Sequence, residues 1–536
     1  MHEDQAKTPH GTQDDGGFAD VVQSLIIAFV LAMTFRGFVV EGFVIPTGSM
    51  APTLLGQHFR VHSELTGHEF AVGVDRLETQ MLLDPMLGPN FREPTGLNIH
   101  PSPPQTRGGD RILVLKTIYP FAEPNRFDVV VFKNPTEPKG DSGNYIKRLV
   151  GLPNETIWIA DGDVFVKPAG ESDFSIRRKP EYIQRALWSP IFDSNAKVRN
   201  PALMQRSYPG PPWRGENWQT DSRIFRTDRT EATMLEWNLS RRRLDDFTAY
   251  NMLHSGQPGL SSNSAPLVNV SDLRIAAGIH PDQTGLTTAL ELETRSHIFE
   301  FKLNGREAIL RYRQDQPDSP WIEEVREPIE SLDPDRVTNV EFWHVDQSMQ
   351  IFIAGRSVAR LDYEWTAEDR LRNATGYDDL ADAADAGVRG LVQPTELRWH
   401  FDGSPVSLHR VRVDRDLYYR GGRIGAQPDE NPTARPEYAR MVARGAYAYG
   451  THPDNLAELG PDQFYMLGDN SQFSLDSRLW KNPHPTVAAQ IDDAPFVVHR
   501  DLLLGKAWVV YFPAVHTIGD GERAVIPDFG RLRYIR

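Results

Sequence analysis

Cysteine is absent from the 536-residue sequence. This absence excludes disulfide bonds, a thiolate nucleophile and cysteine-ligated metal sites. Positively charged residues are also outnumbered. The sequence has 58 Lys and Arg residues against 73 Asp and Glu residues, which gives a formal net charge of −15. A chain this acidic argues against nucleic acid as a partner and against a polybasic surface for anionic lipid.

Long uninterrupted apolar runs are lacking as well, and the best candidate is near the N-terminus. Residues 21–35, VVQSLIIAFVLAMTF, carry no charge, and apolar character resumes after Arg36. A bilayer core needs about 20 apolar residues, so the predicted anchor, residues 21–45, must include the surroundings of that arginine. The tail at 1–20 has Lys7 as its only Lys or Arg. A cleaved signal peptide begins with a basic region, so we predict an anchor instead, with no charge-based indication of its orientation.

A serine turn follows this apolar segment directly. Residues 46–55 read PTGSMAPTLL and place Ser49 on a tight turn. Gly48 allows close backbone approach, and Pro52 prevents a helix from continuing through the turn. Such a serine can present its hydroxyl to a substrate, although a Ser-Met turn is more often a plain loop.

A lysine among apolar residues is the second signal. In NYIKRLVGLPNETI, residues 144–157, strand alternation places Tyr145 and Lys147 on one face and Ile146 and Arg148 on the other. A solvated Lys-Arg pair is the simpler interpretation. A lysine among apolar neighbours can instead lose its proton near neutral pH and act as a base.

The third signal is YMLGDNSQFSLDSRLW, residues 465–480. Gly-Asp-Asn alone is an ordinary turn. Two strand-like segments, GGDRILVLK at 108–116 and RFDVVVFKNP at 126–135, stand between the serine and lysine segments, and LLGKAWVVYFP at 503–513 comes last. In this order the motifs resemble type I signal peptidases, the membrane-anchored Ser/Lys proteases that remove secretory signal peptides.

The resemblance implies a catalytic role for four residues. Ser49 would attack the scissile carbonyl, and Lys147, kept neutral by burial, would accept its proton. The Thr47 hydroxyl and the Ser49 backbone N–H would hold the oxyanion, and Ser474 would orient the lysine. The substrates implied are preproteins with small residues, typically alanine, at the first and third positions before the cut.

Four further residues match supporting positions of the family. Asp469 and Asn470 would shape the turn that bears Ser474, and Asp476 and Arg478 would form a structural ion pair. The resemblance implies no cofactor and no metal. The loosely spaced histidines near 58–68 are a poor metal pattern. GLPNE replaces the family's usual Gly-Leu-Pro-Gly-Asp and leaves the local loop geometry open.

A second, β-rich region interrupts these motifs. It contains strand-like segments such as ALELETR, HIFEFKL, EAILRYR, TNVEFWHV, MQIFIAG, SVARLDY, ELRWHF and LHRVRVDRDLYY. Asn304 and Gly305 between two of them are a strong hairpin signal. The pattern resembles jelly-roll modules of the laminin-G and concanavalin type, which often bind glycans or protein. Trp343 and Trp399 are expected in its core rather than on a ligand platform.

The predicted fold is mainly β, with a membrane-anchored signal-peptidase-type catalytic core and an inserted β-sandwich. The predicted segments are a cytoplasmic tail (1–20), the anchor (21–45), a peptidase core (46–56, 108–167 and 441–536), an insertion (57–107), a linker region (168–214), the β-sandwich (215–420) and a return linker (421–440). Every predicted catalytic residue lies outside the sandwich, so its removal is expected to leave cleavage measurable.

The expected location is the bacterial inner membrane, with a single span and the catalytic domain on the periplasmic face. The expected partners are preproteins, the lipid bilayer and a glycan or protein ligand of the sandwich, with no nucleic acid. Two alternatives remain open. The chain could be an autoprotease that resembles the SOS repressors, or a membrane-tethered binding module on an inactive peptidase scaffold.

Overall fold

The computed structural model of the protein is mainly β. It describes residues 17–34, 37, 39–63, 65–74, 84–87, 107–140, 143–198, 210–252, 267–424, 446–513, 515–517, 525–527 and 529–536. The α-helices in this part of the chain are α1 (Gly17–Thr34), α2 (Glu181–Leu187), α3 (Ala367–Thr375), α4 (Leu380–Val388) and α5 (Pro485–Gln490).

The strands fall into three groups along the chain. The first group is β1 (Val40–Val44), β2 (His58–His62), β3 (Glu69–Gly73), β4 (Arg111–Leu115), β5 (Val129–Lys133), β6 (Asn144–Gly151), β7 (Glu155–Ala160), β8 (Asp163–Pro168) and β9 (Ser175–Ile176). The second group is β10 (Ser189–Asp193), β11 (Trp213–Arg214), β12 (Ile224–Thr227), β13 (Thr233–Trp237), β14 (Leu273–Pro281), β15 (Thr287–Thr294), β16 (His297–Leu303), β17 (Glu307–Gln314), β18 (Glu323–Pro328), β19 (Thr338–Val345), β20 (Ser348–Ile353), β21 (Arg356–Asp362), β22 (Glu396–Asp402) and β23 (Val406–Arg415). The third group is β24 (Ala457–Glu458), β25 (Gln463–Leu467), β26 (Val498–His499), β27 (Leu503–Phe512), β28 (Val515–Thr517), β29 (Val525–Pro527) and β30 (Arg533–Tyr534).

The first sheet, which we call the core sheet, joins segments that are far apart in sequence. Its strand order is β1-β4-β27-β5-β6-β25-β26, and β30 pairs with β27. Neighbouring strands run antiparallel. Alternate apolar residues such as Ile112, Val114, Val129, Val131 and Val510 pack beneath it. Except for β1, all of its strands come from the predicted peptidase segments.

The position of β1 corrects the predicted anchor at residues 21–45. Val40–Val44 pairs with Arg111–Leu115 in antiparallel register, so these residues are part of the core sheet. Glu41 pairs with Lys116 at 3.0 Å, an ion pair that fits a solvated sheet edge. Throughout the described residues, no helix has both the length and the apolar character needed to cross a bilayer.

Two further sheets of seven strands each form the predicted β-sandwich. Their orders are β10-β23-β14-β19-β20-β21, with β12 also on β23, and β11-β13-β22-β15-β16-β17-β18. Trp399, Phe299 and Phe342 are buried between them, and Trp343 is buried as well, which confirms the expected burial of the tryptophans. The hairpin at Asn304 and Gly305 is also confirmed, because Leu303 pairs with Ala308 across it.

The connecting segments contain more structure than the sequence suggested. Within 168–214, predicted as a linker, β10 and β11 each join a sandwich sheet, and α2 precedes β10. Residues 57–107 contain the hairpin of β2 and β3, while 75–83 and 88–106 lie outside the described residues. The return linker at 421–440 also lies outside them after residue 424.

A buried ionic network joins the sandwich to the hairpin of β7 and β8. The Arg370 guanidinium contacts Asp161 at 2.8 Å, Asp163 at 2.6 Å and Asp272 at 3.3 Å. Elsewhere in the network Lys179 contacts Asp346 and Asp416, and Arg295 contacts Asp161 and Asp272. Each carboxylate thus faces a cation of the protein, and the arrangement is an ionic joint between two parts of the chain.

Candidate active site

Ser49 and Lys147 meet above the core sheet. Ser49 lies on the turn that follows β1, and Lys147 lies on β6, which is held between β5 and β25. Lys147 Nζ donates a hydrogen bond to Ser49 Oγ with a length of 2.8 Å. The lysine side chain is buried and the serine is half-buried, so the hydroxyl remains open to a substrate.

Burial lowers the pKa of Lys147 to about 8. The carboxylates of Asp476 and Asp469 oppose this shift, and the Arg478 guanidinium reinforces it. Nζ also lies 5.3 Å from the centre of the Tyr145 ring, which confirms that these two residues share a face of the strand. A lysine with this pKa is partly neutral near pH 8 and can accept a proton.

Arg148 is buried too, so the interpretation of residues 147 and 148 as a solvated pair is wrong. Its guanidinium donates two hydrogen bonds to the Asp469 carboxylate, at 2.8 and 2.6 Å. The Thr53 hydroxyl donates to the same carboxylate at 2.5 Å. This contact ties the end of the serine turn to β6, and the sequence analysis assigned no role to Arg148.

Asn470 binds the backbone of the serine turn. Its N–H donates to the Ser49 carbonyl at 3.0 Å, and its side-chain amide donates to the Gly48 carbonyl, also at 3.0 Å. Asn470 and Asp469 therefore hold the serine turn itself, in addition to shaping their own turn. Two residues of the inserted segment, Tyr250 and Asn251, reach the same turn, and the sequence analysis did not identify either of them.

Asp476 and Arg478 form a fully buried, bidentate ion pair, with lengths of 2.8 and 2.7 Å. Burial alone would raise the pKa of Asp476, but Arg478 and its hydrogen bonds hold that pKa below its usual range. The Gly468 N–H donates to the same carboxylate at 3.0 Å. The ion pair expected from the resemblance is thus present in the structure, and it lies inside the protein next to the segment that follows β25.

Ser474 is buried in the same region. A Cβ placed on Gly468 would lie 2.1 Å from Ser474 Oγ and 2.5 Å from the Ser49 carbonyl oxygen, so only glycine fits between the two serines. The Ser474 hydroxyl helps to lower the pKa of Asp476, yet it has no partner at full hydrogen-bond geometry in the described part of the chain. Its contact with Lys147 stays a prediction.

Thr47 precedes the serine on the exposed side of the turn. Gly56 lies against its backbone, because a Cβ there would approach the Thr47 carbonyl carbon to 2.3 Å. Thr47 is exposed, and its role as an oxyanion donor stays a prediction.

The GLPNE loop, which replaces the family's usual Gly-Leu-Pro-Gly-Asp, fits the local backbone. Asn154 adopts a left-handed φ of 63° there, a conformation that asparagine tolerates better than most residues.

Residues 90–186 match the family model described as signal peptidase, peptidase S26. This segment contains β4 to β9 and Lys147. This part of the chain is thus similar to peptidase S26. Among relatives, it is 31% identical to signal peptidase I of Pseudomonas aeruginosa over 136 residues, which cover 25% of this chain and 32% of the relative.

The chain is also 35% identical to signal peptidase I of Leptolyngbya laminosa over 92 residues, 16% of this chain and 43% of that relative. The chain thus spans about a third of the length of several curated relatives that it matches. The matches agree with the resemblance to type I signal peptidases that the motifs predict.

Solved structures resemble the chain in fold alone. The carbohydrate-binding module CBM66 from Bacillus subtilis is 7% identical, with a TM-score of 0.22 over 38% of this chain and 95% of that one. The galectin LEC-6 of Caenorhabditis elegans is 14% identical, with a TM-score of 0.18 over 27% of this chain and 82% of that one. The assignment of the β-sandwich therefore rests on its own strand order.

A cavity lies on the sandwich sheet of order β11-β13-β22-β15-β16-β17-β18, which we call the third sheet, away from the serine. It is a groove of about 940 Å³ lined by both polar and apolar residues from β11, β13, β15, β16 and β22. Its polar lining residues include Arg214, Glu236, Lys302, His400 and Asp402. The groove is thus a candidate binding site for a polar ligand.

Proposed function

We propose that the protein is a serine endopeptidase of the signal peptidase I type that removes N-terminal signal peptides from secreted preproteins. Ser49 is the nucleophile and Lys147 is the general base. The observation that carries this proposal is the 2.8 Å contact between Lys147 Nζ and Ser49 Oγ, made by an amine with a pKa of about 8.

In this mechanism the neutral amine accepts the proton of Ser49 while Oγ attacks the scissile carbonyl carbon. The tetrahedral intermediate collapses as the Lys147 ammonium gives its proton to the leaving amine, and the mature chain departs. Lys147, neutral again, takes a proton from water, whose oxygen attacks the acyl-enzyme. Collapse of the second intermediate returns the proton to Ser49 and releases the signal peptide.

The oxyanion of each intermediate is held by the Ser49 backbone N–H and the Thr47 hydroxyl. The exposed position of Thr47 at the entrance to the serine turn supports this role. Ser474 orients the lysine by a contact that forms when substrate is bound, which is consistent with its buried hydroxyl and its closeness to the serine turn. Catalytic hydrogen bonds often tighten only with substrate present.

The supporting residues hold the side chains of Ser49 and Lys147 in position relative to each other. Asp469 and Asn470 hold the serine turn, through Thr53 and through the backbone carbonyls, while Asp476 and Arg478 brace the segment that carries Ser474. The burial of Asp469, Asn470, Asp476 and Arg478 and the bidentate geometry of the Asp476–Arg478 pair favour rigid positioning.

We further propose that this domain acts at the outer face of the bacterial inner membrane, where preproteins emerge. Helix α1 exposes apolar side chains, among them Leu25, Phe29 and Leu31, and these favour contact with the bilayer. Sedimentation with vesicles before and after removal of residues 17–34 tests this contact. Loss of binding supports the proposal, and unchanged binding contradicts it.

The inserted sandwich is proposed to bind a polar ligand, a glycan or a peptide, in the groove of the third sheet. Charged side chains of both signs and His400 line that groove and can hydrogen-bond to hydroxyl or amide groups. Binding of glycans by calorimetry, compared with the Lys302→Ala variant, tests this role. The alternative of a binding module on an inactive scaffold is disfavoured by the short contact between Ser49 and Lys147.

The activity is tested with the full-length protein in detergent and a purified preprotein. The expected result is a mature chain that begins directly after the signal peptide, identified by mass spectrometry, and no product with the Ser49→Ala variant. Absence of any cleavage by the unsubstituted protein, with substrates from several bacteria, would contradict the proposed function.

A further inference from the structure

A segment of the inserted region contacts the serine turn directly. Residues Ala249–Asn251 form a short 3-10 helix between β13 and β14, outside the match to peptidase S26. Tyr250 and Asn251 are buried there. Both residues are distant from the serine turn in sequence. Tyr250, for example, hydrogen-bonds to Gln57, which is 193 positions earlier in the chain.

Asn251 and Asn470 form a reciprocal pair of side-chain amides. Asn251 Nδ2 donates to Asn470 Oδ1 at 2.8 Å, and Asn470 Nδ2 donates to Asn251 Oδ1 at 2.7 Å. The second proton of Asn470 Nδ2 goes to the Gly48 carbonyl at 3.0 Å. An amide has two donor hydrogens and one oxygen, and here all three groups of Asn470 are used.

This pair selects one orientation of the Asn470 amide. If that amide were flipped, its oxygen would face the Gly48 carbonyl and its nitrogen would face the donor of Asn251. Both contacts would then lack a hydrogen bond at a buried site, which is costly. Asn251 thus keeps the Asn470 amide directed at the serine turn, whose Ser49 carbonyl is bound by the Asn470 N–H.

Tyr250 closes the turn from another side. A Cβ on Gly48 would lie 2.1 Å from Cε1 of the Tyr250 ring, so the ring packs directly against the glycine before the nucleophile. The Tyr250 hydroxyl donates to the Gln57 carbonyl at 3.1 Å, beyond the end of the serine motif. The Tyr250 side chain thus contacts Gly48 within the serine turn and Gln57 just after it.

The 3-10 helix is itself fixed to the sandwich. Arg415, the last residue of β23, donates to the Thr248 hydroxyl at 2.8 Å and to the Asp246 carbonyl at 3.2 Å. The Asp246 carboxylate accepts from the Arg420 guanidinium at 2.7 Å, and the Arg420 N–H donates to the Ser471 hydroxyl at 2.8 Å. The segment is therefore held from the sandwich and from the Gly-Asp-Asn segment together.

We propose that residues 246–251 of the inserted region complete the active site and that Asn251 is a positioning residue for Ser49. This inference rests on the proposed function. Asn251 acts through Asn470 on the carbonyls of Gly48 and Ser49, and so sets the direction of the nucleophile toward Lys147. The insertion then belongs to the peptidase, so removal of residues 215–420 should lower kcat. That some cleavage stays measurable without these residues remains a prediction.

The test compares Asn251→Ala, Asn470→Ala and the double variant in preprotein cleavage by the full chain. Asn251→Ala is expected to lower kcat by about 10- to 100-fold with little change in KM, because a misplaced reacting group costs rate more than binding. The double variant should be no slower than the slower single variant, because both residues act on one turn. Asn195→Ala, at an exposed asparagine next to the sandwich, is the matched control and should leave kcat unchanged.

Asn251→Asp keeps the shape and the acceptor but removes the donor, so it should resemble Asn251→Ala in kcat. Rescue of kcat in Asn251→Gln would also support the inference. Wild-type kcat in both Asn251→Ala and Asn251→Asp, or losses that multiply in the double variant, would overturn it while the proposed function stands. Failure of the unsubstituted protein to cleave any preprotein would instead overturn the proposed function.

Discussion

The Lys147 amine donates a 2.8 Å hydrogen bond to the hydroxyl of Ser49, a residue 98 positions earlier in the chain. The core sheet brings the two together, because β1 leads into the serine turn while β6 lies four strands away in the same sheet. Burial supplies the chemistry by lowering the pKa of the amine to about 8. Strand order thus places the pair, and burial changes the pKa of its amine.

The cleavage rate should rise with pH through about 8, because only the neutral amine of Lys147 can accept the serine proton. The measurement is kcat/KM for a preprotein from pH 6 to pH 10. A rate that stays flat across this range would exclude Lys147 as the base.

The same pKa predicts a linked effect on stability. The folded-state pKa of about 8 lies below the ordinary value of 10.5, so between these values the unfolded chain binds more protons. Stability should therefore rise with pH from about 8 to 10.5 in the unsubstituted protein relative to Lys147→Met. Melting curves of both proteins at several pH values measure this difference, and parallel pH profiles would contradict it.

Removal of one partner of the buried pair between Arg148 and Asp469 should destabilise the protein strongly. Arg148→Ala leaves a buried carboxylate without its cation, a change that typically costs about 3 to 5 kcal/mol. The melting temperature should fall clearly, whereas Arg326→Ala, at an exposed ion pair, should change it little. Equal melting temperatures for the two variants would contradict the support role of Arg148.

Thr47→Val should lower kcat by about 10²- to 10³-fold with little change in KM, because it removes a donor that acts mainly in the transition state. Thr47→Ser keeps the hydroxyl and should retain most activity. If valine were tolerated at residue 47, the hydroxyl would have no part in holding the oxyanion.

At the ionic joint, Arg370→Ala should destabilise the protein far more than Asp163→Asn. Arg370 contacts three buried carboxyl groups, so its loss leaves all three without that cation, whereas Asp163→Asn changes only one of the three contacts. Burial and the neighbouring Asp272 raise the pKa of Asp163 well above its usual value. The raised pKa means that ionisation of Asp163 weakens the folded state as pH rises. The melting temperature of Asp163→Asn relative to the unsubstituted protein should therefore improve as pH rises above 3.8, the ordinary pKa of this group, and the reverse trend would contradict this account.

Local sequence patterns were enough to predict much of the fold and part of the candidate site. Alternating apolar residues and the Asn304-Gly305 turn predicted the sandwich hairpins, since both signals depend on a few neighbouring residues. The order of the motifs placed Ser49 and Lys147 among the candidate residues. Hydropathy assigned Val40–Val44 to the predicted anchor. In the structure these residues instead form a strand of the core sheet, because they pair with Arg111–Leu115.

Contacts between distant residues could not be predicted in the same way. Arg148 and Asp469 are 321 positions apart, and Asn251 and Asn470 are 219 positions apart. Nothing in the residues around either partner indicates the other, because the contact depends on how the whole chain is folded. The role of the inserted region at the serine turn therefore required the three-dimensional arrangement.

The most direct test of the central claim is kcat/KM for one preprotein with Ser49→Ala, Lys147→Ala and the double variant. Since the two residues form one proton-transfer unit, each single variant should be inactive and the double variant no worse than either. Lys147→Arg should also be inactive, because a guanidinium stays charged and cannot accept the proton. Near wild-type cleavage by Ser49→Ala, or full activity of Lys147→Arg, would contradict the account.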